Sequence, residues 1–370
     1  MVDIAASRLR AQRLVGAPLA SPVEVVRLFG AVQAQDFPGA RWALGQRAAG
    51  ATDAEIGRLF DEGHILRTHV LRPTWHFVLP EDIRWLLELT GPRIRRGLAG
   101  RYRQLGIDES DVPRATEIFR EALAGGRFRT RPELGEALRA AGIAPDGQRL
   151  PHLLMAAELD GVIVSGPRRG KQLSYALLAE RAPGARSLDR SEAVAELTRR
   201  YFRGHGPAQI QDFVWWSGLT VSDARSGLAR AAGDLQRRVV AGKDYWLAAD
   251  ADLDAPATAA AHLLSNWDEY TVGYRDREAV LSADRPFDPS LFSFGSVLSN
   301  VVTIAGQVRG SWRRAGTGEG ARIELRMLDR LGRAEEKALE EPGRRLSHFL
   351  EQPVELTVEF PIPAGATRPE

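Results

Sequence analysis

Two amide side chains and one carboxylate are crowded into the stretch AVQAQDFPGARWALG, at Gln33, Gln35 and Asp36. Residues two positions apart share a face only in an extended or bent segment, so both glutamines point to one side if the preceding helix has ended. An amide donates and accepts hydrogen bonds at once, and two amides can hold a water molecule in one orientation. Asp36 is the stronger base, but in an extended segment its side chain points away from the glutamines. We therefore rank Asp36 behind the glutamines as a catalytic candidate.

The residues that follow favour an enclosed position for the two amides. Pro38 and Gly39 predict a turn, and Phe37, Trp42 and Leu44 are apolar enough to bury the segment. Burying an amide without a hydrogen-bond partner costs a few kcal/mol. Enclosed glutamines therefore need specific partners or a ligand. The plainer alternative is that both are solvated polar residues at the end of a helix.

The segment LRTHVLRPTWHFV, whose composition predicts strands, contributes His69, Thr74 and His76. Because side chains alternate along a strand, Thr74 and His76 lie on one face and Trp75 on the other. These three polar residues are candidates for the lining of a pocket beside the glutamines. The alternative for each histidine is an ordinary hydrogen-bonded or surface residue.

A pair of adjacent carboxylates, Asp268 and Glu269, stands in NWDEY and suggests an acid–base couple. Adjacent residues of a strand face opposite sides, so only one of the two reaches a common site. Structural ion pairs with Arg275 or Arg277 are an equally good interpretation.

Residue types that hold metals or nucleotides are missing or wrongly spaced. The chain has no cysteine, which excludes disulfides, thiolate–metal sites and a cysteine nucleophile. Its seven histidines show no HExxH spacing. The glycine-rich AGTGEG lacks the Lys-Ser/Thr ending of a phosphate-binding loop. We expect no metal, no cofactor and no nucleotide cofactor.

Hydropathy predicts neither a membrane protein nor a secreted one. The sequence has no apolar run of about 18 residues that could span a bilayer. Its beginning, MVDIAASRLRAQRL, lacks the apolar region of a secretory signal. A cytoplasmic protein is therefore expected, with no membrane partner.

Positive charge is supplied almost entirely by arginine, since only three of the 50 basic residues are lysines. A GC-rich coding bias, which raises Arg, Ala and Gly together, is the leading explanation. Arginine also suits phosphate through its planar fork of donors. A nucleic-acid binder needs its arginines clustered, so their distribution distinguishes the two explanations. The clusters are Arg93, Arg95, Arg96, Arg101 and Arg103; Arg127, Arg129 and Arg131; and Arg168, Arg169 and Lys171. They predict a basic face.

One order of elements recurs along the chain. In the middle, PRATEIFREALAGG, TRPELGEALRAAG and DGQRLPHLLMAAELDG predict three helices, with Pro132 in the first turn of the second. VIVSGPRRGKQLSYALL then predicts a hairpin whose tip carries Arg168, Arg169 and Lys171, suited to phosphate contact. Three short helices and a basic hairpin are typical of a winged helix-turn-helix.

The same order returns from SEAVAELTRRYFRGHG to LQRRVVAGKDYWLAA, and in a looser form at the N-terminus. We predict an α+β protein of three tandem winged helices, over residues 1–92, 112–182 and 187–250. A strand-rich C-terminal region follows over residues 257–370. The glutamines fall in the first unit, which departs furthest from the pattern, and an added activity is expected there.

Four segments, VQAQD, LRTHVLRPTWHFV, WDEYTVGYRDR and GQVRGSWRR, resemble the AlkZ/YcaQ-like winged-helix DNA glycosylases over nearly the whole chain. The most telling piece is the family's Gln-aliphatic-Gln motif, here Gln33-Ala34-Gln35, in which other members carry Asp at the second glutamine. The resemblance implies that Gln33 and Gln35 are the catalytic pair. It also implies tandem winged helices in a C-shaped arrangement around duplex DNA, and excision of bulky N7-alkylated purines, including interstrand crosslinks, often as antibiotic self-resistance.

From this we expect a monofunctional glycosylase that acts on damaged duplex DNA as a monomer in the cytoplasm, associated with the nucleoid. His69, Thr74 and His76 would line the lesion pocket. Besides the wing, DNA contacts are expected from Arg95 and Arg96 and from the turn AGQVRG, whose Gln307 and Arg309 would enter the minor groove. The alternatives are a DNA-binding regulator without catalysis and a resistance protein that sequesters the free drug.

Overall fold

A computed structural model describes residues 2–253, 258–281, 292–293, 297–298, 300–315 and 320–360 of the chain. Helices and strands are both abundant, and the predicted α+β class is confirmed. Across these ranges, every helix is too short or too polar to cross a bilayer.

The first group of elements carries the glutamine motif. Its elements are α1 (Ile4–Ala11), α2 (Pro22–Phe29), β1 (Val32–Gln33), α3 (Phe37–Gly45), α4 (Asp53–Glu62), β2 (Leu66–Val70) and β3 (Thr74–Val78). The strands form an antiparallel sheet in the order β1-β3-β2. Side-chain caps set the helix starts, since Ser21 accepts the Glu24 N–H and Thr52 accepts the Glu55 N–H.

A long helix, α5 (Ile83–Gln104), leads from the first group to the second. Its 22 residues span about 33 Å. Pro92 lies inside this helix, so the predicted boundary at residue 92 falls within a continuous element.

The second group repeats the element order of the first. It comprises α6 (Asp111–Leu123), β4 (Arg129–Thr130), α7 (Arg131–Ala140), α8 (Arg149–Leu159), β5 (Ile163–Ser165), β6 (Ser174–Leu177) and a short α9 (Leu178–Arg181). Its sheet has the order β4-β6-β5, again with the first strand beside the last. This group has a core of its own, which includes Phe119, Leu134, Leu153 and Ile163.

The third group follows the same plan with a reduced first strand. Its elements are α10 (Arg190–His205), α11 (Ile210–Ser217), α12 (Val221–Arg230), β7 (Leu235–Val240) and β8 (Lys243–Ala248). Ala208 stands where the first strand is expected and forms a single antiparallel bridge with Trp246 of β8.

The C-terminal region contains a five-stranded sheet in the order β15-β14-β13-β12-β9, antiparallel except for the β14–β15 pair. Its elements are β9 (Ala261–Leu264), α13 (Glu269–Val272), β10 (Phe292–Ser293), β11 (Val297–Leu298), β12 (Val301–Ile304), β13 (Gln307–Ala315), β14 (Ala321–Met327), α14 (Arg333–Ala338), α15 (Glu340–Leu350) and β15 (Val354–Glu359).

The first group contributes residues to two hydrophobic cores. One joins its hairpin to α5 and to the third group and includes Leu66, Trp85, Tyr201 and Trp216. The other joins α2, α3 and α4 to the C-terminal sheet and includes Phe29, Trp42, Phe60, Leu263 and Phe349. Each buried aromatic or aliphatic side chain contributes roughly 1.5–3 kcal/mol of transfer free energy. The segment that carries the glutamines is therefore anchored in two packed regions.

Candidate active site

The glutamine motif lies where β1 ends and before α3 begins. Gln33 is the last residue of β1 and is 1% exposed, whereas Gln35 is exposed. Gln33 is paired with His76 across the sheet, and the Ala34 N–H donates to the Trp75 carbonyl. The interpretation of both glutamines as solvated residues fails for Gln33, which is enclosed.

Hydrogen bonds fix the amide of Gln33 in one orientation. Its Nε2 donates to the Thr74 hydroxyl at 3.0 Å, and its Oε1 accepts the backbone N–H of Gln35 at 3.0 Å. Only an oxygen can accept that N–H, so the two ends of the amide are assigned by their partners. The buried glutamine thereby sets the position of both Thr74 and Gln35.

Gln35 presents its amide at the surface of this arrangement. Its Oε1 accepts the backbone N–H of Trp75 at 3.4 Å. Its Nε2 has no hydrogen-bond partner within the described residues, and the Thr74 hydroxyl still has its own hydrogen to donate. The Gln35 amide oxygen and the Thr74 hydroxyl oxygen each accept one hydrogen bond and have room for a second, so they can bind a water molecule by its hydrogens.

Asp36 has a structural task at this point. It is the N-cap of α3, and its carboxylate accepts the Gly39 N–H at 3.3 Å. A Cβ on Gly39 would lie 2.7 Å from Asp36 Oδ2, so any larger residue here would displace the capping carboxylate. Asp36 is half-buried, and its place behind the glutamines as a catalytic candidate stays a prediction.

His76 and Thr74 lie on the same face of β3 as Gln33, and Trp75 lies on the other, as the strand pattern predicted. His76 is fully buried, and its Nδ1 donates to the Thr74 carbonyl at 2.9 Å. Its Nε2 has no partner in the described chain. Burial, reinforced by the positive charge of Arg72, lowers the pKa of His76 to about 3. The ring is therefore neutral at physiological pH.

His69 does not join this group. Cross-strand pairing with Trp75 places it on the opposite face of the hairpin, 4.3 Å from the Trp75 ring. It is buried there, and its Nδ1 contacts the Glu158 carboxylate of α8. The prediction that His69 lines a pocket with Thr74 and His76 is wrong, because odd and even residues of a strand face opposite ways.

Glu269 contacts the glutamine motif in a way that sequence reasoning missed. Its Oε1 accepts the backbone N–H of Gln33 at 2.6 Å, and its Oε2 accepts from His205 Nε2 at 3.0 Å and Trp216 Nε1 at 2.9 Å. Burial opposes ionisation, but the hydrogen bonds from His205 and Gln33 outweigh it and hold the pKa of Glu269 below its usual range. A buried carboxylate from the C-terminal region thus fixes the backbone of the motif.

The sequence-based interpretation of NWDEY as a strand is wrong. Asp268 caps the short helix α13, and its carboxylate forms a buried ion pair with Arg47 at 2.7 Å. Neither carboxylate forms the ion pair expected with Arg275 or Arg277 in the described chain, because both point into the core toward partners that are distant in sequence.

Arg72 is a further polar group on this side of the hairpin that the sequence did not single out. Two nitrogens of its guanidinium, Nε and one terminal nitrogen, are buried without a hydrogen-bond partner in the described chain. Burial lowers the pKa of Arg72. Its guanidinium carbon lies 5.6 Å from the ring centre of Trp215, which is 42% exposed. The hairpin turn therefore carries a cation beside an exposed aromatic ring.

Two of the three cations of the predicted wing are held by carboxylates. Arg168 pairs with Asp61 of α4 at 2.7 Å, and Arg169 pairs with Glu133 of α7 at 2.7 Å. Lys171 is exposed and has no ion pair among the described residues. Of these residues, Lys171 is the one whose charge is free for a phosphate in this conformation.

The two arginines predicted on α5 differ in the same way. Arg95 pairs with Asp160 of the second group. Arg96 is exposed, and its Nε donates to the Pro92 carbonyl of its own helix at 3.3 Å. Arg96 therefore stays a predicted DNA contact. At Arg95 the ion pair already occupies the charge that a DNA phosphate would need.

The turn between β12 and β13 does not have the exposure expected of a groove-inserting tip. The Tyr270 hydroxyl donates to the Gly306 carbonyl at 2.7 Å, and a Cβ on Gly306 would lie 3.0 Å from Ala5. Arg309 is 6% exposed and pairs with Asp329 at 3.0 Å and with Glu335. Gln307 is half-buried at the start of β13. We correct the prediction for this turn: as folded here, it packs against α1 and α13.

Comparison with known proteins decides the family. The family model described as "DNA glycosylase AlkZ-like" matches residues 26–349, which include both glutamines, Thr74 and Glu269. The chain belongs to the AlkZ-like DNA glycosylase family. It is therefore a DNA glycosylase, an enzyme whose substrate is DNA, and the resemblance inferred from four short segments is confirmed.

A solved structure agrees in fold. The Streptomyces sahachiroi DNA glycosylase AlkZ is similar over 96% of this chain and 98% of its own, with a TM-score of 0.77 and 22% sequence identity. At that identity the likeness shows a shared fold. Among curated proteins, none matches the chain by sequence.

Proposed function

We propose that this AlkZ-like DNA glycosylase is monofunctional and hydrolyses the N-glycosidic bond of purines alkylated at N7 in duplex DNA, leaving an abasic site. The observation that carries the proposal is the enclosed Gln33, which holds Thr74 and the backbone of Gln35 while the Gln35 amide faces solvent. Bulky and crosslinked adducts belong to the proposed substrate range, because an exposed amide serves an open site better than a closed pocket does.

The chemistry suits a pair of neutral amides. A purine alkylated at N7 is positively charged, so it departs without protonation by a general acid. The C1′–N9 bond breaks with its electrons passing to the base, which leaves as a neutral alkylpurine. The oxygen of a water molecule bonds to C1′, and its proton is lost to solvent. The protein has to orient that water and stabilise the positive sugar, and fixed amide dipoles do both.

Gln35 and Thr74 have the direct role in this scheme. The amide oxygen of Gln35 and the hydroxyl oxygen of Thr74 accept the hydrogens of the attacking water, which leaves a lone pair of the water free to bond to C1′. Gln33 holds the Thr74 hydroxyl and the backbone of Gln35 in place. A neutral amide is a poor base, so unmodified purines are spared. His76 lies opposite Gln33 and is neutral, so it adds a polar group to the lining without a charge of its own.

The repeated element order supports the rest of the proposal. We propose that the three groups are winged helices that bind duplex DNA in tandem. The enzyme then acts as a monomer on nucleoid DNA in the cytoplasm, without a metal or nucleotide cofactor. A role in resistance to a DNA-alkylating antibiotic follows if the crosslinked lesion is a substrate.

The test is release of base from a duplex carrying N7-methylguanine, and separately from one carrying a nitrogen-mustard crosslink. Abasic product is read as strand breaks that appear only after alkali. We expect release by the wild type and loss of release in a Gln33→Ala/Gln35→Ala variant that still binds DNA. Sequence-specific binding to undamaged DNA without release would favour a regulator. Tight binding of a free alkylating drug without release would favour sequestration.

A further inference from the structure

A cavity of about 270 Å³ lies between the first-group hairpin and the second-group wing. Its lining includes Arg67, Trp75, Arg131, Gln172, Ser174 and Tyr175. A water molecule takes about 30 Å³ in the liquid, so the cavity has room for a larger group together with waters. It lies on the face of the hairpin opposite His76, and no catalytic step proposed above uses it.

Arg67 is the buried arginine of this cavity. It is 8% exposed, and its guanidinium carbon lies 4.3 Å from the ring centre of Trp75. Its Nε donates to the Ala34 carbonyl at 2.9 Å, and the two terminal nitrogens make no hydrogen bond within the described chain. The fork of the guanidinium is thus left open toward the cavity.

The negative charge of Glu158 favours the charged form of Arg67, but no carboxylate of the described chain pairs with it directly. Glu158 lines the same cavity, but its carboxylate contacts His69, and Arg67 forms no ion pair with any described residue. Burial lowers the pKa of Arg67 to about 10, which leaves it charged at physiological pH. A buried charge without a partner is costly, and the cost falls sharply when an anion binds.

The other polar groups of the cavity also suit an anion. Arg131 adds a second positive charge at the rim and interacts with the Tyr175 hydroxyl. Burial raises the pKa of Tyr175 to about 12, so its phenol stays a neutral donor. Gln172 and Ser174 add an amide and a hydroxyl. Planar guanidinium forks match the tetrahedral oxygens of phosphate with paired hydrogen bonds.

The cavity adjoins the glutamine motif. Arg67 donates to the carbonyl of Ala34, the residue between the two glutamines. Arg67 also lies over the ring of Trp75, and the backbone N–H of Trp75 donates to Gln35. A sugar placed at Gln35 has its own phosphates within about one nucleotide step. We propose that the cavity binds a phosphodiester of the damaged strand beside the lesion, through Arg67. This rests on the proposed function and gives that site an anchor for the strand.

The experiment measures binding rather than chemistry. The full-length protein is titrated against duplexes that carry an uncleavable tetrahydrofuran abasic analogue and one neutral methylphosphonate, moved through each phosphate around it. We expect one position at which the neutral linkage weakens wild-type binding roughly 10-fold, the scale of a lost charge-assisted contact. In Arg67→Met, binding to the unmodified backbone falls by the same factor, and that linkage has no further effect.

Controls separate phosphate binding from a structural role. Arg322→Met removes an arginine that is 61% exposed on the C-terminal sheet and is expected to leave the whole scan unchanged. Arg67→Lys keeps the charge without the fork and is expected to lose part of the coupling, which covers the case in which Arg67→Met fails to fold. A purely structural Arg67 would weaken binding equally at every position.

Several results would overturn the inference. They are a scan in which no linkage couples to Arg67, an Arg67→Met protein that binds like the wild type, and binding of inorganic phosphate to the cavity with no coupled linkage. Failure of the proposed function is a separate outcome, since a protein that binds DNA but releases no base still yields a readable scan.

Discussion

The three repeated groups end their first strand in different ways, although each pairs that strand with the last strand of its own hairpin. In the second group Thr130 is both the last strand residue and the N-cap of α7. In the third, Ala208 forms the bridge and the next residue, Gln209, caps α11. In the first group the strand ends at Gln33 and the cap is Asp36. Two additional residues therefore separate strand and helix in the first group alone.

The additional residues are Ala34 and Gln35, and they have opposite environments. Ala34 is fully buried and its N–H still donates to Trp75, so the chain stays against the sheet for one more residue. Gln35 then turns outward, with its own N–H directed back to Gln33. The comparison teaches that a short insertion at a strand–helix junction is enough to place an amide at the surface of a repeated scaffold.

The largest effect that tests this comparison comes from Gln35→Ala set against Gln209→Ala. Removing the exposed amide of the insertion should lower single-turnover base release about 100-fold, the size reported when one oriented polar group is removed from an active site. The matched variant of the third group, Gln209→Ala, should change the rate of base release less than about twofold. Equal losses in the two variants would show that the insertion has no special role.

A second test compares two glutamates that accept backbone N–H groups. Glu269→Gln leaves a buried donor without an acceptor and should lower the free energy of unfolding by about 1–3 kcal/mol, measured by denaturant titration. Glu180 accepts the N–H groups of Gly125 and Gly126 at an exposed position of the second group. Its change to Gln should cost within about 0.5 kcal/mol. Similar values would contradict the assigned role of Glu269.

His76 makes the stability of the first group depend on pH. Unfolded chains bind a proton at histidine below the ordinary pKa of 6.5, whereas burial holds the pKa of His76 at about 3 in the folded protein. Above pH 6.5 His76 is neutral in both states and does not lower the free energy of unfolding. As the pH falls from 6.5 toward 3, that free energy decreases by about 1.4 kcal/mol per pH unit. Because burial also lowers the pKa of His262 to about 4, His76→Gln should remove only the His76 share of the slope from unfolding measurements between pH 6.5 and 4. His64→Gln, at a residue that is 61% exposed, should retain it.

The smallest effect is expected in the wing of the second group. Lys171→Ala should weaken binding to duplex DNA about threefold and reduce the salt slope by about 0.9, the contribution of one released counterion. Lys337→Ala, an exposed change on α14, should leave both quantities unchanged. A wing that contacts no DNA would give the same result for the two lysines.

Sequence reasoning succeeded where the information is local. Alternation along β3 placed Thr74 and His76 on one face, and the spacing of the glutamines identified the motif that the structure builds around. It failed where the partner is distant in the chain. Glu269 contacts Gln33 across 236 residues, and Arg168 contacts Asp61 across 107. Local periodicity carries no signal for such pairs, so a buried acceptor was interpreted as a strand residue and a paired arginine as a DNA contact.

The most direct measurement of the central claim is a double-mutant cycle of Gln33→Ala and Gln35→Ala in single-turnover release of N7-methylguanine, with DNA binding measured in parallel. Since Gln33 holds the backbone of Gln35 and the hydroxyl of Thr74, the two glutamines act as a unit. The account predicts that the double variant loses about as much activity as the worse single variant. Losses that multiply, or wild-type release from the double variant, would contradict it.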